Sequence, residues 1–326
     1  MVRQRMGVFQ PVGGNGASRW QIGVEEMTLR DTHTLVRFYD GLAIATSVLA
    51  LAVVWASFSA SGAWVILGWL SLIGVGLIAW GTFVEPQRLR ILRRREALVS
   101  HPTTWIKIVF LSDFHAGGPR PAKWYERLAR EASALNPDVF LLGGDFVVDR
   151  SDPITMLAPF TAVSARMGKY FVLGNHDFMD QPHVIREALQ RFGCEDLTNR
   201  SVFLSRDGKE LELTGIDDHW YGDPKLATRK SKEVPRFLLS HEPDVLMDLE
   251  PGQVDYVIAG HTHGGQVALP LIGPLRPIPA KLGRKVSDGL RNLYGTPCFI
   301  SEGCGEADAR FRLFTYPEIV VIEVGI

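Results

Sequence analysis

A long apolar run without charge, near the start of the chain, most constrains what the chain can fold into. From Gly41 to Val84, 44 consecutive residues include no Asp, Glu, Lys or Arg, in a chain of 326 residues. A bilayer core about 30 Å thick needs roughly 20 apolar residues per helical span. The run therefore predicts a two-helix transmembrane hairpin, with spans at about 41–59 and 63–84 and a tight turn at 59–62. A buried hairpin of a soluble domain is disfavoured because soluble helices rarely stay uncharged on every face.

Basic residues on both sides of the run predict its orientation. Arg30 and Arg37 precede the first span, and the second span is followed by Arg88, Arg90, Arg93, Arg94 and Arg95. By the positive-inside rule both ends of the hairpin lie in the cytoplasm. The sequence thus predicts an N-terminal tail (1–36), a hairpin with a basic linker (37–100), and a domain (101–326). We expect a bacterial-type inner (cytoplasmic) membrane protein whose domain lies on the cytoplasmic side.

The remaining residues have the composition and pattern of a soluble α/β domain. Lys and Arg total 35 against 36 Asp and Glu, so no overall basic field exists and we expect no nucleic-acid partner. Short apolar runs alternate with longer mixed ones, which predicts βα units. Strands are expected at 106–111, 138–142, 170–173, 210–216, 237–239, 256–259, 298–300 and 318–324, and helices at 123–135, 153–166 and 182–192.

Five short polar motifs follow these predicted strands. In chain order they are Asp113-Phe114-His115, Gly143-Gly144-Asp145, Gly174-Asn175-His176-Asp177, His241, and Gly260-His261-Thr262-His263. Strands of an α/β sheet gather their carboxyl ends on one edge, where ligands bind. Within D-x-H and H-x-H, residues i and i+2 point the same way if the backbone stays extended. Glycines beside three of the polar residues allow close backbone approach. We therefore expect the motifs to converge.

The converging side chains are of metal-ligand type. They are Asp113, His115, Asp145, Asn175, His241, His261 and His263. One ion rarely takes so many protein ligands, whereas two ions that share one carboxylate use all of them. Imidazoles mixed with carboxylates favour transition ions over calcium. The sequence predicts two divalent ions, Mn, Fe or Zn, with Mn favoured.

This ordered set of motifs resembles the calcineurin-like metallophosphoesterase superfamily, whose pattern is D-x-H, G-D, G-N-H-[DE], H and G-H-x-H. Every block matches between about Lys107 and Gln266. The resemblance implies a four-layered α/β/β/α sandwich. It assigns one metal to Asp113, His115, Asp145 and His263, and the other to Asp145, Asn175, His241 and His261. It also implies that His176 is the catalytic histidine, and we expect Asp177 to orient its ring.

The chain is also similar to the membrane-associated phosphodiesterases of that superfamily. The shared segments are G-H-T-H-G-G-Q at 260–266, G-I-D-D at 215–218 and P-E-I at 317–319. Where that subgroup usually has a segment like Ser-Arg-Gly-Leu-Gly, residues 301–305 read Ser-Glu-Gly-Cys-Gly. This departure is expected to affect the substrate pocket and to leave the metal site intact.

These features predict a membrane-anchored dinuclear-metal phosphoesterase. It would hydrolyse a phosphodiester or pyrophosphate by in-line attack of a metal-bridging hydroxide. An amphiphilic, lipid-linked substrate is expected because an anchor raises the local concentration of lipids. One alternative is the UDP-2,3-diacylglucosamine pyrophosphate hydrolase of lipid A synthesis. Others are a phosphoprotein or nucleotide phosphatase, and a non-catalytic metal-binding membrane scaffold, which the intact ligand set disfavours.

Two further segments keep two interpretations each. Residues 217–220, Asp-Asp-His-Trp, follow a predicted strand and either contact substrate or form a turn with an exposed Trp. The basic segment 276–291 either faces solvent or binds an anionic headgroup or membrane surface.

Overall fold

The computed structural model of the chain describes residues 41, 44–45, 47–56, 62–307 and 309–326. The predicted N-terminal tail and most of the predicted 59–62 turn lie outside these residues. Within them, Ser47–Ala56 forms a short apolar helix, and Trp64–Gln87 is long and apolar enough to cross a membrane. The longer helix comprises α1 (Ala63–Ala79), a π-helical turn (Trp80–Val84) and a 3-10 turn (Glu85–Gln87). A full-length apolar helix is therefore present where the second span is predicted.

Two six-stranded sheets form the body of the domain. The first contains β1 (Arg90–Ala97), β2 (Trp105–Leu111), β3 (Val139–Leu142), β4 (Lys169–Phe171), β5 (Glu195–Asp196) and β14 (Glu318–Gly325). The second contains β6 (Ser201–Arg206), β7 (Lys209–Gly215), β8 (Arg236–Leu239), β9 (Tyr256–Ala259), β12 (Gly289–Leu293) and β13 (Thr296–Ile300). Between β9 and β12 the chain forms a small hairpin of β10 (Ala268–Leu269) and β11 (Gly273–Pro274).

In each sheet, the carboxyl ends of the parallel strands lie along one edge, where the predicted motifs follow them. The first sheet runs β1-β14-β2-β3-β4-β5 and the second β12-β13-β9-β8-β7-β6. Strands β2 to β5 are mutually parallel, as are β7, β8, β9 and β13. Parallel strands end together at one edge of a sheet. The predicted motifs follow β2, β3, β4, β8 and β9 at these edges.

The two sheets pack face to face because their strands alternate apolar side chains between two cores. In β2, Ile108 and Phe110 point into the core between the sheets, while Val109 and Leu111 point to the outer core. That outer core is closed by α2 (Ala122–Ala134), α3 (Pro182–Arg191) and a 3-10 segment (Asp152–Ala162). Such period-two alternation is what a strand buried on both faces requires.

The outer face of the second sheet is covered differently from the expected sandwich. Leu238 and Val257 on this face pack against Leu246 and Val286. In the described part of the chain, these last two residues belong to short 3-10 segments, Pro243–Met247 and Gly283–Val286. A mixed α/β domain with two packed sheets is confirmed, with 3-10 turns and loops where the fourth, helical layer is predicted.

The arginine-rich segment predicted as a linker is strand β1. It pairs in parallel with β14, from Arg90 opposite Glu318 to Ala97 opposite Gly325. Edge strands often carry charged side chains, which discourage pairing with other chains. The first sheet therefore includes residues 90–97, which the sequence predicts as part of the linker. Likewise, the helix predicted at 153–166 is the 3-10 segment, which contains Pro159.

This extra strand places the end of the apolar helix beside the functional edge. Strand β1 is parallel to β14, and β14 is antiparallel to β2. Glu318 of β14 faces the first residue of β1, and Val320 faces Phe110 near the end of β2. The helix thus enters the domain at the edge where β2, β3 and β4 end.

Candidate metal centre

All predicted metal ligands are buried at the edge shared by the two sheets. Asp113, His115, Asp145 and Asn175 follow strands of the first sheet, while the three other histidines follow β8 and β9 of the second. None is more than 6% exposed. So many buried ionisable groups are rare unless they are paired or bind a metal.

One group of ligand atoms lies on the β2 side of the site. Oxygen and nitrogen atoms of Asp113, His115 and His263 all lie within 4.8 Å of one another. The Nε2 atoms of the two histidines are 2.9 Å apart, and His263 Nε2 is 3.6 Å from Asp113 Oδ1. Asp145 Oδ2 approaches the same group, 3.6 Å from His115 Nε2.

A second group lies on the β8 side and shares Asp145 with the first. Asp145, His241 and His261 form another potential metal-binding cluster. Nε2 of His241 is 3.2 Å from Asp145 Oδ2, 3.2 Å from Asn175 Oδ1 and 3.2 Å from His261 Nδ1. Asp145 therefore lies between the two groups, as a bridging carboxylate would.

The spacing and protonation of these atoms fit a cation in each group. Ligand atoms about 2.1 Å from one ion lie about 3.0 to 3.4 Å apart in octahedral or tetrahedral arrangements, close to the 2.9–3.6 Å observed. Asp113 Oδ2 is buried and has no hydrogen-bond partner among the described residues. Burial, with nearby His176, lowers the pKa of His115 to about 3, and burial holds the pKa of His263 well below its usual value. Both are neutral imidazoles, the form that binds metals.

Two histidines are held by carbonyl groups on their outer side. His241 Nδ1 donates to Gly143 O at 2.7 Å, and His261 Nε2 donates to Pro279 O at 2.6 Å, as assigned from the acceptors. These bonds turn the other ring nitrogen of each into the site. Burial opposes charge on His241, but the Asp145 carboxylate outweighs burial and raises the His241 pKa well above its usual value. A cation that binds His241 would displace that proton.

The D-x-H and H-x-H pairs converge, but not through extended backbone. Positive φ angles occur at Asp113 (58°), His115 (47°), Asp145 (53°), His261 (71°) and His263 (51°). Side chains with a Cβ rarely adopt this left-handed conformation, at a cost of order 1–3 kcal/mol each. The prediction from strand alternation is therefore wrong in its mechanism, since tight left-handed turns aim these ligands.

Glycine is required at position 174, where three of the motifs pack closely against one another. A Cβ on Gly174 would collide with the Asp145 carboxylate and lie 2.7 Å from His241 Cε1. Gly174 has φ −113°, which any residue adopts. Lack of space, and not backbone conformation, is therefore what requires glycine here.

His176 is at the site, but its predicted partner is not. The His176 ring lies 4.7 Å from the His115 ring, and His176 Nδ1 lies 2.5 Å from the carbonyl oxygen of Val148. Asp177 instead accepts hydrogen bonds from backbone N–H groups of residues 146, 147 and 174. The predicted orientation of His176 by Asp177 is wrong, because the carboxylate points to these amides.

Two further segments reach the site. Trp220 is 45% exposed, and its ring lies 4.8 Å from that of His261. Asp218 Oδ1 accepts from the backbone of Trp220 and Tyr221, so a tight turn holds the exposed ring against a predicted ligand. Both interpretations of residues 217–220 share this geometry.

The 301–305 segment, which the resemblance assigns to the substrate pocket, is hydrogen-bonded to the backbone of Ser112 and of the predicted metal ligand Asp113. Cys304 N donates to Ser112 O at 3.0 Å, and Gly305 N donates to Asp113 O at 2.7 Å. The fully buried Arg312 donates to Gly305 O at 2.5 Å, and its charge contributes to the low pKa of His115. Arg312 lies outside every motif, so the sequence offered no signal for it.

Known proteins are similar to this chain over most of its length. The profile described as calcineurin-like phosphoesterase matches residues 106–265. Phosphodiesterase YaeI of Escherichia coli is 31% identical over 252 residues, 74% of this chain and 90% of that protein. The uncharacterized metallophosphoesterase YkuE of Bacillus subtilis is 26% identical over 262 residues, 77% of this chain and 91% of its own. UDP-2,3-diacylglucosamine pyrophosphatase LpxG of Chlamydia muridarum is 26% identical over 307 residues, with 74% and 91% covered.

Proposed function

The chain belongs to the calcineurin-like phosphoesterase family and is a metal-dependent phosphoester hydrolase, and we propose that it cleaves a phosphodiester or pyrophosphate of an amphiphilic, lipid-linked substrate at a membrane surface. The observation that carries this proposal is the convergence of two groups of buried ligand atoms on Asp145. The apolar helix that enters the domain at the same edge supports the membrane part.

We assign the side chains to two ions according to the two groups. Asp113, His115 and His263 would hold one ion, while Asn175, His241 and His261 would hold the other, with Asp145 between them. When bound, two such divalent ions neutralise phosphoryl oxygens and lower the pKa of a water nucleophile. The burial of these side chains keeps bulk water from competing for the ligand positions.

His176 would serve the leaving group. The imidazolium form of His176 would donate Nδ1–H to Val148 O and give its Nε2 proton, on the opposite side of the ring, to the departing oxygen, which leaves a neutral imidazole. Asp177 would position the site, because its three backbone contacts fix the turns that carry Asp145 and Asn175.

The sequence and the helix together support a membrane arrangement. We propose that the two-helix hairpin spans an inner membrane, with the domain on the cytoplasmic face, as the positive-inside rule predicts from the basic flanks. The helix Trp64–Gln87 supports the second span. With β1 included, the membrane region would comprise residues 37 to about 87 and the catalytic domain residues 88–326.

A lipid-linked pyrophosphate is the more specific candidate substrate. It is favoured by the relative from Chlamydia muridarum, whose name states a UDP-2,3-diacylglucosamine pyrophosphatase and of which this chain covers 91%. The phosphodiesterase YaeI favours a diester. Both substrates contain the P–O–C or P–O–P linkage that this site would cleave.

Substrate class and metal dependence can be tested on the full-length protein. We expect protein purified with Mn²⁺ to hydrolyse bis-p-nitrophenyl phosphate and a UDP-diacylglucosamine pyrophosphate, and p-nitrophenyl phosphate more slowly. Asp145→Asn should lose bound metal and activity together, because it removes the shared carboxylate. Asp207→Asn is the matched control, since Asp207 also has a positive φ (51°) but lies in the exposed β6–β7 turn. Full activity of Asp145→Asn, or metal binding without turnover of any substrate, would overturn the proposal.

A further inference from the structure

The β10–β11 hairpin carries an apolar tip that the metal centre does not use. Leu271 is completely exposed, while Ile272 is 58% and Leu275 52% exposed. Leu271 and Ile272 lie in the turn between the two strands, whereas Leu275 follows β11 at the base of the hairpin. Contiguous exposed apolar surface on a soluble domain marks contact with a protein or a membrane.

The base of this hairpin adjoins the metal centre. Gly265 of the last metal motif packs so closely on Pro274 of β11 that a Cβ on Gly265 would lie 2.6 Å from Pro274 Cβ. Farther along the same loop, Pro279 O accepts the hydrogen bond from His261. The hairpin therefore forms part of the rim of the site.

The same base is bonded to a segment of the chain that also contacts the end of the apolar helix. Ala268 N donates to Leu313 O at 2.9 Å, and Arg312 N donates to Gly81 O at 2.9 Å. Two consecutive residues, 312 and 313, thus connect the helix to the hairpin. These bonds fix the hairpin beside the point where the helix leaves the membrane region.

Apolar side chains continue across this junction. Phe83 is 55% exposed, Val84 39% and Phe314 42%. Phe314 directly follows Leu313, and Phe83 follows Gly81 by two residues, so exposed apolar side chains flank the bonds that join the helix to the hairpin. Because this helix is long and apolar enough to cross a membrane, we take lipid as the occupant that covers the hairpin tip as well.

Basic side chains follow the hairpin in the chain, and one of them, Arg284, is hydrogen-bonded to it. Arg284 donates to the carbonyl oxygens of Ile272 at 3.1 Å and of Pro274 at 2.5 Å. The neighbouring Arg276, Lys281 and Lys285 are exposed. At the surface of an anionic bilayer, apolar side chains such as those of the hairpin tip enter the acyl region, and nearby basic side chains bind the headgroups.

We propose that the β10–β11 hairpin inserts its apolar tip, Leu271 and Ile272, into the bilayer interface as a second membrane contact. Together with the helix it would hold the rim of the metal centre against the lipid surface. The inference rests on the membrane anchoring in the proposed function. It also gives the basic segment 276–291 a role at lipid headgroups.

Depth-dependent fluorescence on the full-length protein tests whether the hairpin tip inserts into the bilayer interface. The cysteines Cys194, Cys298 and Cys304 are buried, so an NBD probe can be attached selectively to Leu271→Cys in protein reconstituted into phosphatidylglycerol-containing vesicles. Lys209→Cys is the matched control, because Lys209 is exposed next to the β6–β7 turn at the opposite edge of the sheets. We expect a blue shift and strong quenching by doxyl-labelled lipids at position 271, and neither at 209.

Separate readouts distinguish this inference from the proposed function. Turnover of bis-p-nitrophenyl phosphate reports the fold and catalysis of each labelled protein, and resistance to alkaline extraction reports the helical anchor. If the chain resists extraction but the probe at 271 is quenched no more than at 209, the hairpin inference fails and the anchor stands. A blue shift without lipid quenching would mean contact with a second copy of the chain and would also overturn it. Extraction of the protein from the vesicles by alkali would contradict both the helical anchor and the hairpin inference.

Discussion

At the scale of single residues, the metal-centre loops hold one another in a strained conformation. Asp113 N donates to Gly144 O and His115 N to Asp145 O, both at 3.0 Å. In return, Asp113 Oδ1 accepts from His261 N and Asp145 Oδ1 from His176 N, both at 2.9 Å. Each left-handed turn is thus stabilised by a neighbouring motif. We infer that the ligand groups are preorganised for metal ions and do not gather around them.

The role of His176 is the sharpest prediction at this scale. We expect His176→Gln to lower kcat by about 10²- to 10⁴-fold, because the variant cannot protonate the leaving oxygen. Metal content should be unchanged, since the seven assigned ligands remain. The loss should be larger for alkyl leaving groups than for p-nitrophenol, which needs little protonation. Steady-state kinetics with both substrates and elemental analysis measure these effects.

His183→Gln is the control for that variant, because His183 is an exposed histidine in the first turn of α3. An equal loss with both leaving groups would contradict the acid role of His176. A fall in metal content would instead place His176 among groups that hold the ions.

The residues of the site could be predicted from the sequence, but their partners could not. Asp113, His241 and the others are recognisable because ligand chemistry depends on side-chain type and motif order. The partner of His176 is the carbonyl of Val148, and every residue has a carbonyl, so no sequence signal marks it. The left-handed turns could not be predicted from the sequence either, because they occur at Asp and His residues, whereas Gly is the residue that usually marks such turns.

At the scale of elements, the junction between the apolar helix and β1 is part of the folded domain. Glu85 is fully buried and accepts a hydrogen bond from Trp80 Nε1 at 2.8 Å. Pro86 O accepts from the buried Arg120 at 2.5 Å. These contacts leave little freedom between helix and sheet. The orientation of the metal edge relative to the helix is therefore fixed by packing, and a flexible tether would not achieve this.

Substitution of Arg90 tests whether the junction between the helix and β1 contributes to the stability of the domain. Arg90 Nη2 lies 2.6 Å from Glu318 Oε2 and 3.3 Å from Glu302 Oε2, and both carboxylates are buried. We expect Arg90→Ala to lower the free energy of unfolding by about 2 kcal/mol, because two buried acids lose their shared cation. Thermal unfolding in detergent, followed by circular dichroism, measures the change. Arg93→Ala, at an exposed position of the same strand, should have little effect. Equal stability of both variants would contradict a structural junction.

Sequence patterns predicted the central strands well and the edges poorly. Strands β2 and β9 are short, mainly apolar runs, which is the pattern of a strand buried on both faces. Strand β1 reads R-I-L-R-R-R-E-A because one edge and much of one face meet solvent, and such composition is typical of linkers. Strands of two residues, such as β5 and β10, are too short to leave a periodic pattern.

At the scale of the whole molecule, the helix, the hairpin and the metal centre share one edge of the sandwich. The β6–β7 turn lies at the opposite edge, because β7 begins there and is parallel to β8 and β9. A substrate with acyl chains in the bilayer would need only its phosphate group to reach the site. A substrate dissolved in water gains nothing from this arrangement, which is why we favour lipid-linked phosphates.

Labelling at the exposed Lys209, beside the β6–β7 turn, tests on which side of the membrane the domain lies. Five arginines follow the apolar run within eleven residues of Val84, and residues 59–62 carry no charge, so the positive-inside rule predicts a cytoplasmic domain. In bacteria that produce the full-length Lys209→Cys variant, a membrane-impermeant maleimide should label the protein only after lysis, because Lys209 is exposed and the natural cysteines are buried. The chain without the added cysteine gives the background. Labelling of intact spheroplasts would place the domain outside, and the substrate would then have to come from the outer leaflet.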